Sequence, residues 1–226
     1  MSETQQLGQV ARRTVEDEVY GRIRAAILTG EIEAGERLVH DDLAQRFGTS
    51  RIPVRDALKR LVLDGLVETE GGRRGYRVTV FGRDDIEEIY SLRVLLETRA
   101  VRFATAHIDA DTLTALDGLQ TAIEAAAAAD ERERYVALNQ EFHTRLYAAA
   151  GQPRLARLID GLWRGLPPLT PISVATSLTE TAAEHRPILA AMANGDAEAA
   201  ANVMADHIDR ARVALSAHVD AEGRLI

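Results

Sequence analysis

The chain has 226 residues, 46% of them hydrophobic, with no cysteine and a formal net charge of −8. That length can bury two modest cores, and the missing cysteines exclude a disulfide framework or a thiolate metal site. No apolar run approaches the roughly 18 residues of a membrane span and MSETQQLGQVARRT lacks the apolar stretch of a secretory signal, so the expectation is a cytoplasmic protein with no membrane role.

The first segment to read as regular structure is a helix from about Thr14 to Thr29, with Thr14 as N-cap and Gly30 as its stop. GEIEAGERL follows as a turn-rich link. From about Asp41 to Asp64 the chain reads as two short helices hinged at Gly48. Leu43, Phe47, Val54, Leu58 and Leu61 recur at helical spacing and form the inward stripe. LVETE and YRVTV then alternate as short strands around EGGRRG, a hairpin tip. Three helices and a hairpin make a winged helix-turn-helix.

Arg51 and Arg55, four residues apart, share an exposed face of the second helix of the pair. Arginine can offer a guanine edge two parallel hydrogen bonds, so these two are the leading DNA contacts, the alternative being solvated charges paired with Asp56 or Asp64. Ser50 is placed to cap this recognition helix and to reach a phosphate. Pro53 suits its first turn. Arg73 and Arg74 on the wing can reach a phosphate or the minor groove. His40, Asp41 and Asp42 open the preceding helix, where carboxylates would repel phosphate; they are read as helix-capping residues.

From Arg83 onward no strand signal remains. Six helical segments are expected, at about 84–107, 111–129, 131–149, 153–164, 177–193 and 196–219, with the proline-rich GLPPLTPIS as a loop. The charge changes at the same place. Residues 1–83 hold 14 basic against 13 acidic side chains, and residues 84–226 hold 13 against 22. Nucleic-acid binding follows the local patch rather than the average. The expected organisation is therefore mainly α, with a DNA-binding domain at 1–82 and an all-helical bundle at 83–226.

SRIPVRDALKRLVLDGLVE with its Gly/Arg wing resembles the GntR family of bacterial transcription regulators. NQEFHTRLYAAAG, EHRPILAAMANGDAEAA and DHIDR resemble the effector-binding FCD domain of its FadR-like branch, and six helices match the shorter, VanR-like form. The resemblance runs from about Val15 to His218. It implies a homodimer on double-stranded operator DNA, with either domain able to supply the interface.

Asn139 and His143 share a face of one helix, His185 falls on the next-to-last helix and His207 on the last. A bundle can gather such side chains into a metal site, although a lone histidine on a helix is usually a surface or hydrogen-bonded residue. The resemblance implies the site: metal-binding FCD domains take Asp or Asn, a His four later, and two further His spaced as His185 and His207 are. The ion would be divalent, Zn²⁺ before Ni²⁺ or Mn²⁺. A neutral Asn139 leaves the site more positive and favours completion by an anion. The family also implies that Arg93 meets an effector carboxylate; the plain alternative is an exposed pair with Glu97. Arg145 and Arg186 are further candidates for the cavity.

The function expected is a repressor responsive to a small organic acid. Two alternatives are a regulator with a metal-free apolar pocket and a metal-dependent hydrolase. Against the hydrolase, Glu184 would point about 100° away from His185 around a continuous helix and supply no base.

Overall fold

The computed structural model describes residues 14–70, 75–165 and 177–220. The wing tip with Arg73 and Arg74, and most of the proline-rich loop, lie outside the described residues. Two compact units divide between Thr79 and Val80.

In the first unit, α1 spans Val15–Leu28, β1 Arg37–Leu38, α2 His40–Phe47, α3 Arg51–Leu63, β2 Val67–Glu70 and β3 Gly75–Val78. Thr14 starts α1 through a reciprocal capping box with Asp17, their side chains each accepting the other's backbone N–H at 3.1 Å. Val19, Ile23 and Ile27 repeat every fourth residue and bury one face of α1. Leu43, Val54, Leu58 and Leu61 are buried as the spacing predicts, whereas Phe47 is only half-buried. Arg60 ties α3 to α1, 2.7 Å from Asp17 and 3.3 Å from Glu16, with its guanidinium over the Tyr20 ring.

The turn-rich link contains a strand that alternation could not reveal, because β1 is only two residues long. It pairs antiparallel with β3, which pairs with β2, giving the order β1-β3-β2. Arg37 and Arg77 face each other across β1 and β3. Glu70 stands between their charges, 3.6 Å from Arg37 and 2.5 Å from Arg77.

The second unit is all helical: α4 Arg83–His107, α5 Ala110–Ala128, α6 Arg132–Ala148, α7 Pro153–Arg164, α8 Leu178–Ala183, α9 Arg186–Ala193 and α10 Ala197–Ser216. Asp109, Ser177 and Asp196 cap α5, α8 and α10 by accepting backbone N–H groups. α4 packs chiefly on α10, and α5 on α6, around a core including Leu116, Ile123, Phe142, Leu146, Ile188, Met204 and Ile208. Among the described residues no helix is long and apolar enough to cross a membrane.

One correction bears on function. The single helix expected at 177–193 is two, α8 and α9, so the described bundle has seven helical segments rather than six. Proline has no N–H and its ring collides with the carbonyl four residues earlier. For Pro187 that residue is Ala183, where α8 ends. The helix stops there and restarts after His185, which takes the N-cap position of α9.

The hinge of the helix pair makes its own test. Gly48 has φ 62 and ψ 36, with nothing near its missing side chain, so only backbone strain opposes substitution. Gly48→Val should lower stability by about 1–2 kcal/mol and Gly48→Asn by less. Urea midpoints followed by circular dichroism check this; equal midpoints for both variants and the native chain would refute it.

Candidate functional site

Three histidines meet in the core of the second unit. One ring nitrogen from each of His143, His185 and His207 lies within 4.8 Å of the other two. His143 comes from α6, His207 from α10, and His185 from the break that Pro187 imposes. All three are buried, as is Asn139, one turn before His143 on the same face of α6.

Each ring is held through Nδ1. His143 Nδ1 lies 3.0 Å from the Tyr147 hydroxyl, and that hydroxyl donates its own hydrogen to Glu97. The His143 nitrogen must therefore be the donor. His185 Nδ1 lies 2.9 Å from Gln120 Oε1, whose amide hydrogens go to Glu124 and the Ala182 carbonyl. His207 Nδ1 lies 2.7 Å from Glu184 Oε2, and Arg210 holds the other oxygen at 2.7 Å. Phe142 stacks on His185 at 4.5 Å between ring centroids. With Nδ1 donating, a neutral ring keeps its lone pair on Nε2, and burial favours the neutral form of His143 and His185. His143 Nε2 and His185 Nε2 are shielded from water and have no hydrogen-bond partner. Buried polar atoms are almost always satisfied, so an orphaned pair of lone pairs inside a histidine triangle has the donor chemistry of a transition-metal site. Outer partners that fix the tautomer are what such sites use.

Behind His143 lies a sealed charged network. Glu97 is wholly buried and accepts from Arg93 Nε at 2.7 Å, Trp163 Nε1 at 3.0 Å and Tyr147. The Arg93 guanidinium sits over the rings of Tyr90 and Trp163 at 4.7 and 4.9 Å. The Arg93–Glu97 pair is therefore real but buried, not on an exposed face. Burial and then the Glu97 charge drive the Tyr147 hydroxyl well above its usual range. Arg145 pairs with Glu141 on the surface, and Arg186 clamps Asp117 and Glu124 of α5.

Three of these partners escaped the sequence reading. Tyr147 continues the series 139, 143, 147 along α6, and that spacing could have found it. Gln120 comes from another helix and carries no such signal. On a continuous helix Glu184 faces away, but the broken helix turns it toward His207.

In the first unit, Arg51 and Arg55 are exposed on α3. Arg51 Nε lies 2.7 Å from Asp41 of α2, and Arg55 Nε lies 3.5 Å from Asp56. Ser50 holds the N-cap position of α3 without a capping hydrogen bond. A cap serves the second or third N–H of the helix; the third residue is Pro53, which has none, so only the Ile52 N–H is left to it. Asp41 and Asp42 lie in the first turn of α2, whose N-cap is Val39, so they are not the caps expected.

Comparison with known proteins adds the following. Residues 15–78 match the gntR family of bacterial regulatory proteins and residues 88–210 match the FCD domain. An uncharacterized HTH-type transcriptional regulator of Bacillus subtilis (strain 168), YdhC, is 32% identical over 62% of this chain, a match spanning less than two thirds, 63%, of its own length. A probable D-xylose utilization operon transcriptional repressor of Paenarthrobacter nicotinovorans is 30% identical over 88% of both chains. Among solved structures, McbR/YncC of E. coli shares the fold with a TM-score of 0.71, at 24% identity over 87% of this chain and 94% of its own. A GntR transcriptional regulator from Rhodococcus sp. RHA1 gives a TM-score of 0.66, at 25% identity over 88% and 95%.

The buried rings predict an acid sensitivity. Burial first, then the neighbouring histidines, hold His143 and His185 well below the ordinary value of 6.5. The unfolded chain binds protons there and the folded chain does not, so stability rises with pH through this range. Chelator-treated protein should hold its stability above about pH 7 and lose it progressively below about 6.5. His143→Leu should flatten that decline. Urea titrations across the range read the effect, and a native chain with no decline would contradict it.

Proposed function

The chain belongs to the gntR family of bacterial regulatory proteins, carries an FCD domain and is a transcription regulator rather than an enzyme; on that premise we propose a metal-dependent, ligand-responsive repressor. The observation that carries the metal is the pair of orphaned Nε2 atoms within the histidine triangle. Repression is supported by the Paenarthrobacter relative, itself a probable transcriptional repressor.

In this reading His143, His185 and His207 hold a divalent ion through Nε2, with the Asn139 carbonyl oxygen as a fourth donor. Zn²⁺ suits imidazole and comes before Ni²⁺ or Mn²⁺. A bound cation supplies an open coordination position for an anionic ligand. All four donors are neutral, so the ion's charge is uncompensated and a small carboxylate is the natural effector. Glu97 occupies Arg93 Nε, which leaves the paired Nη edge as the face able to receive that carboxylate. Glu184 is spent on His207 and Arg210, so no free base argues for hydrolysis.

The winged helix binds operator DNA as a homodimer. Arg51 and Arg55 read base edges, Ser50 donates to a phosphate, and Arg73 and Arg74 on the wing contact the backbone or minor groove. The effector changes operator affinity only by binding one arrangement of the dimer more tightly than another. A coupling of about 1–3 kcal/mol corresponds to roughly 5- to 150-fold in affinity.

Metal content after chelation and reloading with Zn²⁺ tests the centre. Wild type should recover an equivalent per chain, and alanine at His143, His185 or His207 should abolish recovery while Asn139→Asp retains it. Unchanged content in the three alanine variants would refute the assignment. For the DNA surface, a duplex enriched by the wild type from a random library is the probe. Arg51→Ala and Arg55→Ala should each weaken it by about 1–3 kcal/mol in a mobility-shift titration; undiminished retention would remove α3 as the reading element.

A further inference from the structure

The acidic start of α2 has no role in capping or in the core, and one of its carboxylates reaches the recognition helix. Asp41 Oδ1 lies 2.7 Å from Arg51 Nε, with His40 Nε2 3.7 Å away. That oxygen is shielded from water and makes no hydrogen bond, so the guanidinium is the charge that compensates it. Arg51 itself stays 71% exposed along its side chain. The contact therefore holds one side of the guanidinium without covering it. Arg55 differs, because its acidic neighbour Asp56 lies on α3 itself and is approached more closely by Lys59, at 2.9 Å against 3.5 Å.

We propose that Asp41 sets DNA specificity: it orients Arg51 for base reading and withdraws that arginine's charge from indiscriminate phosphate binding. The inference rests on α3 as the DNA-reading helix. Binding to arbitrary sequence comes almost wholly from neutralising phosphates, and each contact steepens the salt dependence by about 0.9. A guanidinium already beside a carboxylate offers phosphate little net charge. A guanine edge asks for something different. Its O6 and N7 are partial charges read by geometry, and a guanidinium anchored at Nε presents its two Nη groups with less conformational freedom left to lose. Exposed ion pairs are weak, so Asp41 biases Arg51 without locking it away. Discrimination then comes from disfavouring the wrong DNA as much as from gripping the right one.

The test uses the full chain and two probes, a random-sequence duplex of roughly 30 base pairs and the duplex enriched by the wild type from a random library. Asp41→Asn keeps the shape and removes the charge at a half-buried position, and circular dichroism checks its folding. On random duplex it should bind about 3- to 10-fold tighter, with a salt slope steeper by about one. On the enriched duplex its affinity should stay within about twofold of wild type, so the ratio between probes falls. With Arg51→Ala already present, Asp41→Asn should change neither probe. Unchanged affinity and slope on random duplex, equal tightening on both probes, or an effect that persists without Arg51 would each overturn the proposal. Failure of the underlying premise looks different, because Arg51→Ala and Arg55→Ala alone would then leave retention of the enriched duplex undiminished.

Discussion

A neutral imidazole carries one hydrogen and one lone pair, and inside a protein the hydrogen must find an acceptor. That requirement organises the second unit. Tyr147 on α6, Gln120 on α5 and Glu184 beside the α8–α9 break each accept an Nδ1 hydrogen. Each acceptor is itself held, Tyr147 by Glu97, Gln120 by Glu124 and the Ala182 carbonyl, and Glu184 by Arg210. The direction of every Nε2 follows from these bonds. With the acceptors removed the rings could turn, and nothing would bring their lone pairs to one point.

Much of this was legible in the residues, and the failures have physical causes. The helix pair could be read because apolar spacing, Gly48 and the Thr14 cap are local signals. β1 could not, since two residues do not make an alternation. Spacing joined only Asn139 to His143, and the resemblance supplied His185 and His207, because periodicity within one helix carries no information about another. Pro187 was visible in EHRPILAA, but reading 177–193 as one helix hid its effect on Ala183 and sent Glu184 the wrong way. Arg93 and Glu97 were paired correctly in sequence and misplaced in depth, because spacing tells which residues share a face, not how far it is buried.

The two units handle charge in opposite ways. On the first, Arg51, Arg55, Lys59 and Arg60 all touch carboxylates at or near the surface. Salt weakens such contacts and a polyanion can compete for their cations. In the second, Arg93 and Glu97 are sealed from solvent and joined by hydrogen bonds from Tyr147 and Trp163. Removing one member of a buried pair strands the other. One surface is suited to exchanging partners, while the interior pair is held out of water.

Trp163 is the only tryptophan of the chain, and its place gives it a second use. Its ring centroid is 5.0 Å from that of His143, its N–H rests on Glu97, and a guanidinium lies over its face. The excited state of an indole is polarised, so its emission wavelength and yield follow the electric field around it. Any gain of charge among the three histidines alters that field at close range. The protein thus carries a native optical probe beside its centre, with no other indole to obscure the signal.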